Sequence, residues 1–359
     1  MKKFLKIFLS VIGAITALLG IAALVLLLIS PGKTSPLTDA DGKVLPAGIA
    51  EINSYTLGGY EQSVIIRGAD TTLPVMLFLH GGPGSPEIAI MKKMNPGLEK
   101  DFVVAYWEQR GAGKSFSADI PDDSMTIEQM VSDAAELSRI LTDRFGCEKL
   151  YIAGHSWGSL LGIKTAYLYP ELFHAYIGIS QVCKQYEGEK ISYEWVKEQA
   201  EKENDEKAMA ALGELVFPDS TANSDAWLNF LMKERSYVNK YGGGITHEIR
   251  NMWPAVKMVM GAEEYSFREK MNYPRGNNYS MLRLWEGVID VNLFNEIDSM
   301  QVPVYIFQGR YDYQTPHVVA REFYDQLKAP AKGFYTFENS AHSPLYEEPE
   351  KFNRILREI

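Results

Sequence analysis

Three side chains suited to acyl transfer recur at the ends of apolar runs. Ser156 stands in Gly154-His155-Ser156-Trp157-Gly158, directly after Leu150 to Ala153, an apolar stretch, and before a small-residue and aliphatic segment, Leu160 to Leu168. This is the G-x-S-x-G pattern in a strand–turn–helix context. A serine on so sharp a turn takes a strained backbone, and the flanking glycines make room for it. The helix dipole behind it favours developing negative charge. Serine alone is a weak nucleophile and needs an oriented base. His342, in Asn339-Ser340-Ala341-His342-Ser343-Pro344, and Asp312, in Gly309-Arg310-Tyr311-Asp312, each follow another apolar run. The chain order Ser, Asp, His is one of the orders in which a Ser-His-Asp triad occurs. There Asp312 fixes the imidazole tautomer, and His342 takes the serine proton and returns one to the leaving group.

A tetrahedral intermediate also needs donors for its oxyanion. His80-Gly81-Gly82-Pro83-Gly84 follows the run Pro74 to Leu79. The expected donors are the backbone N–H groups of Gly82 and Trp157, with Gly81 as the substitute. Neither this loop nor Gly111-Ala112-Gly113-Lys114-Ser115 completes a phosphate-binding glycine pattern, because Glu108 stands where a P-loop needs its first glycine. No metal-ligand grouping such as H-E-x-x-H is present, so neither metal nor cofactor is expected.

These residues need a sheet to hold them. Ser63 to Arg67, Pro74 to Leu79, Phe102 to Trp107, Leu150 to Ala153, Ala175 to Ile179, Val302 to Phe307 and Gly333 to Phe337 read as short strands ending in turn formers. Between them Thr126 can cap a helix through Asp143, ended by Gly146. Further helices are expected over Pro316 to Leu327 and after Pro349. The succession predicts an α/β fold with a mostly parallel sheet, 56–182 and 293–359, interrupted by an all-helical cap at 183–292. Within that insertion Trp195, Leu212, Trp227, Leu231, Trp253, Val256, Met260, Leu282 and Trp285 recur as candidate interior residues.

The N-terminus has a different composition. Lys2, Lys3 and Lys6 precede Ile7 to Ile29, which carries no charge. The run is long enough to cross a hydrocarbon core of about 30 Å and longer than a usual signal-peptide core. Residues 1–30 therefore read as a signal-anchor in a lipid bilayer, N-terminus cytoplasmic and the remaining chain outside, with a cleaved signal and a secreted protein as the alternative. Residues 31–55, rich in Pro, Gly and Asp, read as a juxtamembrane linker. A net charge of −10 disfavours a nucleic-acid partner. Cys147 and Cys183 read as two free cysteines at opposite edges of the sheet. Nothing in the sequence specifies an oligomeric state.

HGGPG at 80–84, EQRGAGKS at 108–115, GHSWGS at 154–159, GRYD at 309–312 and SAH at 340–342 together resemble the proline iminopeptidase group of α/β-hydrolases, peptidase family S33. The resemblance runs from about residue 60 to the C-terminus. It implies an aminopeptidase that releases N-terminal residues from small peptides through an acyl-enzyme on Ser156, with Asp312 and His342 as triad partners and Gly82 and Trp157 at the oxyanion positions. His155 and Arg110 match motif positions as structural or electrostatic supports. It also implies cap glutamates that bind the substrate amine, Glu286 being one candidate and otherwise a surface residue. Departures are Glu108 where the family usually has aspartate, and Ser85-Pro86 where a further glycine is frequent; both count against strict proline specificity. An esterase, lactonase or amidase for a small apolar substrate would need the same triad, and a catalytically silent membrane-tethered binding protein would need only the fold.

Overall fold

The computed structural model describes residues 2–359. Eight strands form one sheet: β1 (Ile49–Leu57), β2 (Tyr60–Gly68), β3 (Val75–Leu79), β4 (Val103–Trp107), β5 (Leu150–His155), β6 (Phe173–Ile179), β7 (Val304–Gly309) and β8 (Lys332–Phe337). Their order is β1-β2-β4-β3-β5-β6-β7-β8. The pairs β1–β2 and β2–β4 are antiparallel, and the other pairs are parallel.

The helices are α1 (Lys2–Leu28), α2 (Ile88–Met94), α3 (Leu98–Asp101), α4 (Ile127–Phe145), α5 (Trp157–Leu168), α6 (Gln185–Lys202), α7 (Glu206–Gly213), α8 (Ser224–Lys240), α9 (Trp253–Gly261), α10 (Phe267–Ile289), α11 (Leu293–Glu296), α12 (His317–Gln326), α13 (Pro344–Glu347) and α14 (Pro349–Glu358). β3 and β4 are buried on every residue because both sheet faces are covered. On β3, Val75, Leu77 and Leu79 join one buried cluster with the apolar faces of α4 and α5, while Met76 and Phe78 join the other with α2 and α14. The start and stop of α4 are those expected: Thr126 Oγ1 accepts from the Gln129 N–H at 3.1 Å, and Gly146 ends the helix in a left-handed conformation at φ 64°.

Helices α6 to α10 lie in the chain between β6 and β7. One expectation is corrected. The stretch 31–55 is not all linker, because Ile49–Leu57 forms edge strand β1, paired along its whole length with β2. Its sequence, IAEINSYTL, mixes polar and apolar residues, as suits a strand packed on one side only. Cys147 and Cys183 are both free. Among the described residues, α1 is the single helix long and apolar enough to cross a membrane, a test that a signal sequence also passes. At 1.5 Å per residue it is about 40 Å long.

Candidate active site

The turn after β5 is forced by packing. Ser156 has φ 55° and ψ −121°, a conformation that side chains rarely adopt. Its N–H donates to the Ile179 carbonyl at 2.8 Å, which holds it to the neighbouring β6. A Cβ on Gly154 would sit 2.1 Å from the Gly158 carbonyl oxygen, and one on Gly158 would sit 2.1 Å from that of Leu79. The two glycines thus let α5 start directly over the ends of β3 and β5.

Asp312 and His342 meet at the ends of β7 and β8. His342 Nδ1 lies 2.9 Å from Asp312 Oδ2 and 3.0 Å from Oδ1. The carboxylate accepts four further hydrogen bonds. Oδ1 takes the Gln314 and Thr315 N–H groups, each at 2.9 Å; Oδ2 takes Gln308 Nε2 at 2.9 Å and Thr315 Oγ1 at 2.8 Å. Burial pushes the Asp312 pKa up, but the charge and hydrogen bond of His342 and the Thr315 donors outweigh it, and the carboxyl sits below its ordinary range.

Ser156, His342 and Gly82 line one cavity of about 550 Å³. The Ser156 Oγ–His342 Nε2 hydrogen bond is not closed in this state; unliganded sites commonly hold such pairs more loosely than reacting complexes do. Among the described residues, neither the Gly82 N–H nor the Trp157 N–H has an acceptor within the protein. The Trp157 indole is buried and donates to Gln109 Oε1 at 2.8 Å, which leaves the backbone N–H as its one uncommitted donor. Gly82 has φ 114°, open to glycine and not to other residues. The substitute donor is already engaged: the Gly81 N–H donates to Glu87 Oε1 at 2.8 Å.

Glu87 is the member that the sequence did not disclose. Its Oε1 also accepts from His155 Nδ1 at 2.9 Å, and its Oε2 accepts from the Tyr346 hydroxyl. His155 Nε2 lies 2.7 Å from the His342 carbonyl oxygen. An acceptor faces each ring nitrogen, an arrangement that favours the doubly protonated, cationic form of His155. Burial opposes that charge, but the Glu87 carboxylate and the hydrogen bonds outweigh it and raise the His155 pKa. The same balance, in which burial is overcome by His155 and the Tyr346 and Gly81 donors, holds Glu87 below its usual value. His80 is the reverse case. Its Nδ1 donates to Gly81 O at 2.8 Å, its Nε2 accepts from the Gln109 N–H at 3.2 Å, and burial pulls its pKa down to about 4, so it is neutral.

Arg110 lies away from this cavity. Its guanidinium is buried, 3.0 Å from Asp133 Oδ2, and donates to the Leu57 carbonyl at 2.9 Å, fastening the β1–β2 turn to α4. Glu286 does not line the cavity; its Oε1 accepts from the Ser224 N–H at 2.9 Å, at the start of α8. A second cavity, of about 420 Å³, lies between the start of α4 and the end of α10 and holds none of these residues.

Comparison with known proteins agrees with this architecture. Residues 74–349 match the sequence family described as alpha/beta hydrolase fold. The chain is 33% identical over 310 residues to the Probable aminopeptidase YbaC of Bacillus subtilis strain 168, covering 86% of this chain and 95% of the relative. It is 24% identical over 294 residues to a proline iminopeptidase of Heyndrickxia coagulans, covering 78% of this chain and 88% of that one. The crystal structure of a proline iminopeptidase of Mycobacterium smegmatis superposes with a TM-score of 0.61 at 18% identity, over 85% of this chain and 96% of the other.

Proposed function

Because the chain belongs to the α/β-hydrolase family, we propose that it is a serine hydrolase, and that its reaction is the release of N-terminal residues from small peptides. The observation that carries this reading is the convergence of Ser156 and His342 on one cavity with His342 Nδ1 held by Asp312. The names of its relatives support the aminopeptidase assignment.

Ser156 Oγ attacks the scissile carbonyl carbon while its proton passes to His342 Nε2. The imidazolium is stabilised by Asp312, and the oxyanion is received by the two uncommitted N–H groups of Gly82 and Trp157. The C–N bond then breaks, and His342 returns the proton to the departing amine. Water deacylates the enzyme by the same path, with His342 as base. The His155 cation stands beside the nucleophile as an electrostatic support and is not a proton carrier. The helices of 183–292 act as a cap that restricts access to small substrates and chain ends. In this reading α1 anchors the enzyme in the bilayer with its N-terminus cytoplasmic and the catalytic domain outside.

A second reading, an esterase, lactonase or amidase, is favoured by the lining of the cavity. Glu87 is the one carboxylate among the lining residues, and it is already engaged by three protein donors. The deciding experiment compares kcat/KM on aminoacyl amides, their N-acetylated forms and short-chain esters, with Ser156→Ala as control. Cleavage of aminoacyl amides that acetylation abolishes supports the aminopeptidase. Activity confined to esters, or indifferent to the amine, sinks it.

A further inference from the structure

The chain leaving α1 is tied to the rim of the cavity. Lys270, buried in the first turn of α10, lines the cavity, and its Nζ donates to the Ile29 carbonyl at 3.2 Å and to Ser30 Oγ at 2.8 Å. Pro31 bridges to Ser266, the Lys33 N–H donates to Glu263 O at 2.9 Å, and the Ser35 N–H donates to Glu263 Oε1 at 3.0 Å. The turn between α9 and α10 is therefore the dock for the residues that follow α1.

That turn joins two helices that form an apolar mouth. Met252, Val256 and Met271 both line the cavity and stand exposed at its rim. Beside them Trp253 is 70% exposed and Ile249 is also exposed; neither lines the cavity. Met271 directly follows the lysine that clasps Ile29. Over the nine residues of α9 the one charged side chain is Lys257, exposed like Arg268 at the start of α10. An apolar rim with an exposed tryptophan and flanking cations is the composition of a membrane-interface surface. Unpartnered, such a rim is a cost in water.

We propose that the face bearing Ile249, Met252, Trp253 and Val256 rests in the bilayer surface, and that the cavity takes the hydrocarbon part of amphiphilic amides or esters from the membrane. This rests on the anchor and Ser156 readings above. The two residues between α1 and Pro31 leave little slack, so the mouth is held at the depth where α1 emerges. A substrate of this kind passes from the bilayer between Met252, Val256 and Met271 until its amide or ester carbonyl reaches Ser156, its hydrocarbon part lying along the apolar lining. The apolar lining then binds the hydrocarbon part, whichever amide or ester bond Ser156 attacks.

The test uses the full chain in vesicles of phosphatidylcholine and phosphatidylglycerol, with and without brominated acyl chains. Bromine quenches only indoles that it touches, and subtraction of the Trp253→Phe spectrum isolates Trp253 from the other five tryptophans of the six. The expected result is strong quenching of that difference signal. A signal that bromine leaves unchanged, in chains that resist carbonate extraction, overturns the bilayer contact and leaves the anchor standing. Chains released by carbonate overturn the anchor and this inference together. The second measurement is the labelling rate with short- and long-tailed alkyl fluorophosphonates, in which Ser156 Oγ displaces fluoride. Combined Ile249→Ser and Trp253→Ser substitutions should slow the long-tailed probe several-fold and leave the short one unchanged. Equal slowing, or none, overturns the membrane route. Failure of the parent to react with either probe overturns the Ser156 reading and the substrate half of the inference. If the variants instead abolish a cross-linked dimer while bromine has no effect, a second copy covers the face and the proposal is wrong.

Discussion

The His155 ring sits 2.9 Å from Glu87 Oε1, the same oxygen that accepts the Gly81 N–H at 2.8 Å. One carboxylate oxygen therefore ties the residue before Ser156 to the residue before Gly82. These are the two loops expected to supply the oxyanion donors, so Glu87, itself on the cavity wall, positions both. Substitution by glutamine removes the charge that holds His155, and its NH₂ is matched only by turning to the Tyr346 hydroxyl oxygen. Glu87→Gln should lower kcat by about 10²-fold, the scale of a lost oxyanion donor, with KM nearly unchanged. It should also destabilise the fold by about 3–5 kcal/mol, as a broken buried pair does. Steady-state kinetics alongside urea unfolding would check both, and a loss of stability at full kcat would reduce Glu87 to a purely structural tie.

The same pair makes stability depend on pH in a defined window. His155 has a folded pKa raised above 6.5, so its contribution is full below 6.5 and is lost as pH rises through the raised value. Glu87 has a folded pKa below 4.5, so its contribution is full above 4.5 and is lost as pH falls through the lowered value. Both contributions are complete between 4.5 and 6.5. Unfolding free energy measured across pH should show an alkaline decline that Glu87→Gln flattens. A parent and variant with parallel profiles would show that the pair does not carry the dependence.

The turn at Ser156 admits no side chain on its glycines. Either Gly154→Ala or Gly158→Ala brings a methyl to 2.1 Å from a backbone oxygen, and the backbone must move at the junction of β3, β5 and α5. A loss above about 4 kcal/mol, or failure to fold, is expected for each. Circular dichroism and thermal unfolding would detect it; a variant melting within a few degrees of the parent would contradict the packing described.

How legible these features were in the sequence follows from where their causes lie. β3 and β4 are buried on every residue and carry apolar or aromatic side chains throughout because both faces are covered, and composition alone reveals such strands. The glycines of GHSWG and the turn formers after β7 and β8 likewise carry their reason locally. Strand β1 was absorbed into the linker because one face meets solvent and its pairing comes from β2 across a two-glycine turn. Glu87 was invisible for a tertiary reason. Its partners His155 and Tyr346 lie 68 and 259 residues away in the chain, and no local pattern marks the residue that will meet them.

Arg110 illustrates a motif residue whose role is support. Its pair with Asp133 is buried on both sides, so Arg110→Ala leaves an uncompensated charge and should cost about 3–5 kcal/mol. Replacing both partners with apolar residues, Arg110→Met with Asp133→Leu, should recover much of that loss. Turnover per folded molecule should stay within a few-fold of the parent. Active-site titration combined with chemical denaturation measures the two effects separately, and a large fall in turnover in the stable double variant would place Arg110 in the chemistry.

Asp312→Asn separates the triad reading from a merely structural one. Every neighbour of the carboxylate donates to it: two backbone N–H groups, the Gln308 amide, the Thr315 hydroxyl and His342 Nδ1. His342 Nδ1 faces both carboxylate oxygens, so an asparagine with its oxygen toward the Gln314 and Thr315 N–H groups sets its NH₂ 2.9 Å from Nδ1. The NH₂ favours the tautomer in which Nδ1 accepts, the ring proton moves to Nε2, and the imidazole presents a hydrogen to Ser156 where it should present a lone pair. The fold should survive, since most of the donors around residue 312 keep an acceptor, while kcat falls by about 10⁴-fold. Labelling by a fluorophosphonate should slow in parallel, because it needs the same proton transfer from Ser156. Retention of kcat within tenfold in a folded Asp312→Asn protein would remove Asp312 from the catalytic machinery and leave His342 to be oriented by Thr315, whose hydroxyl lies 3.4 Å from Nδ1.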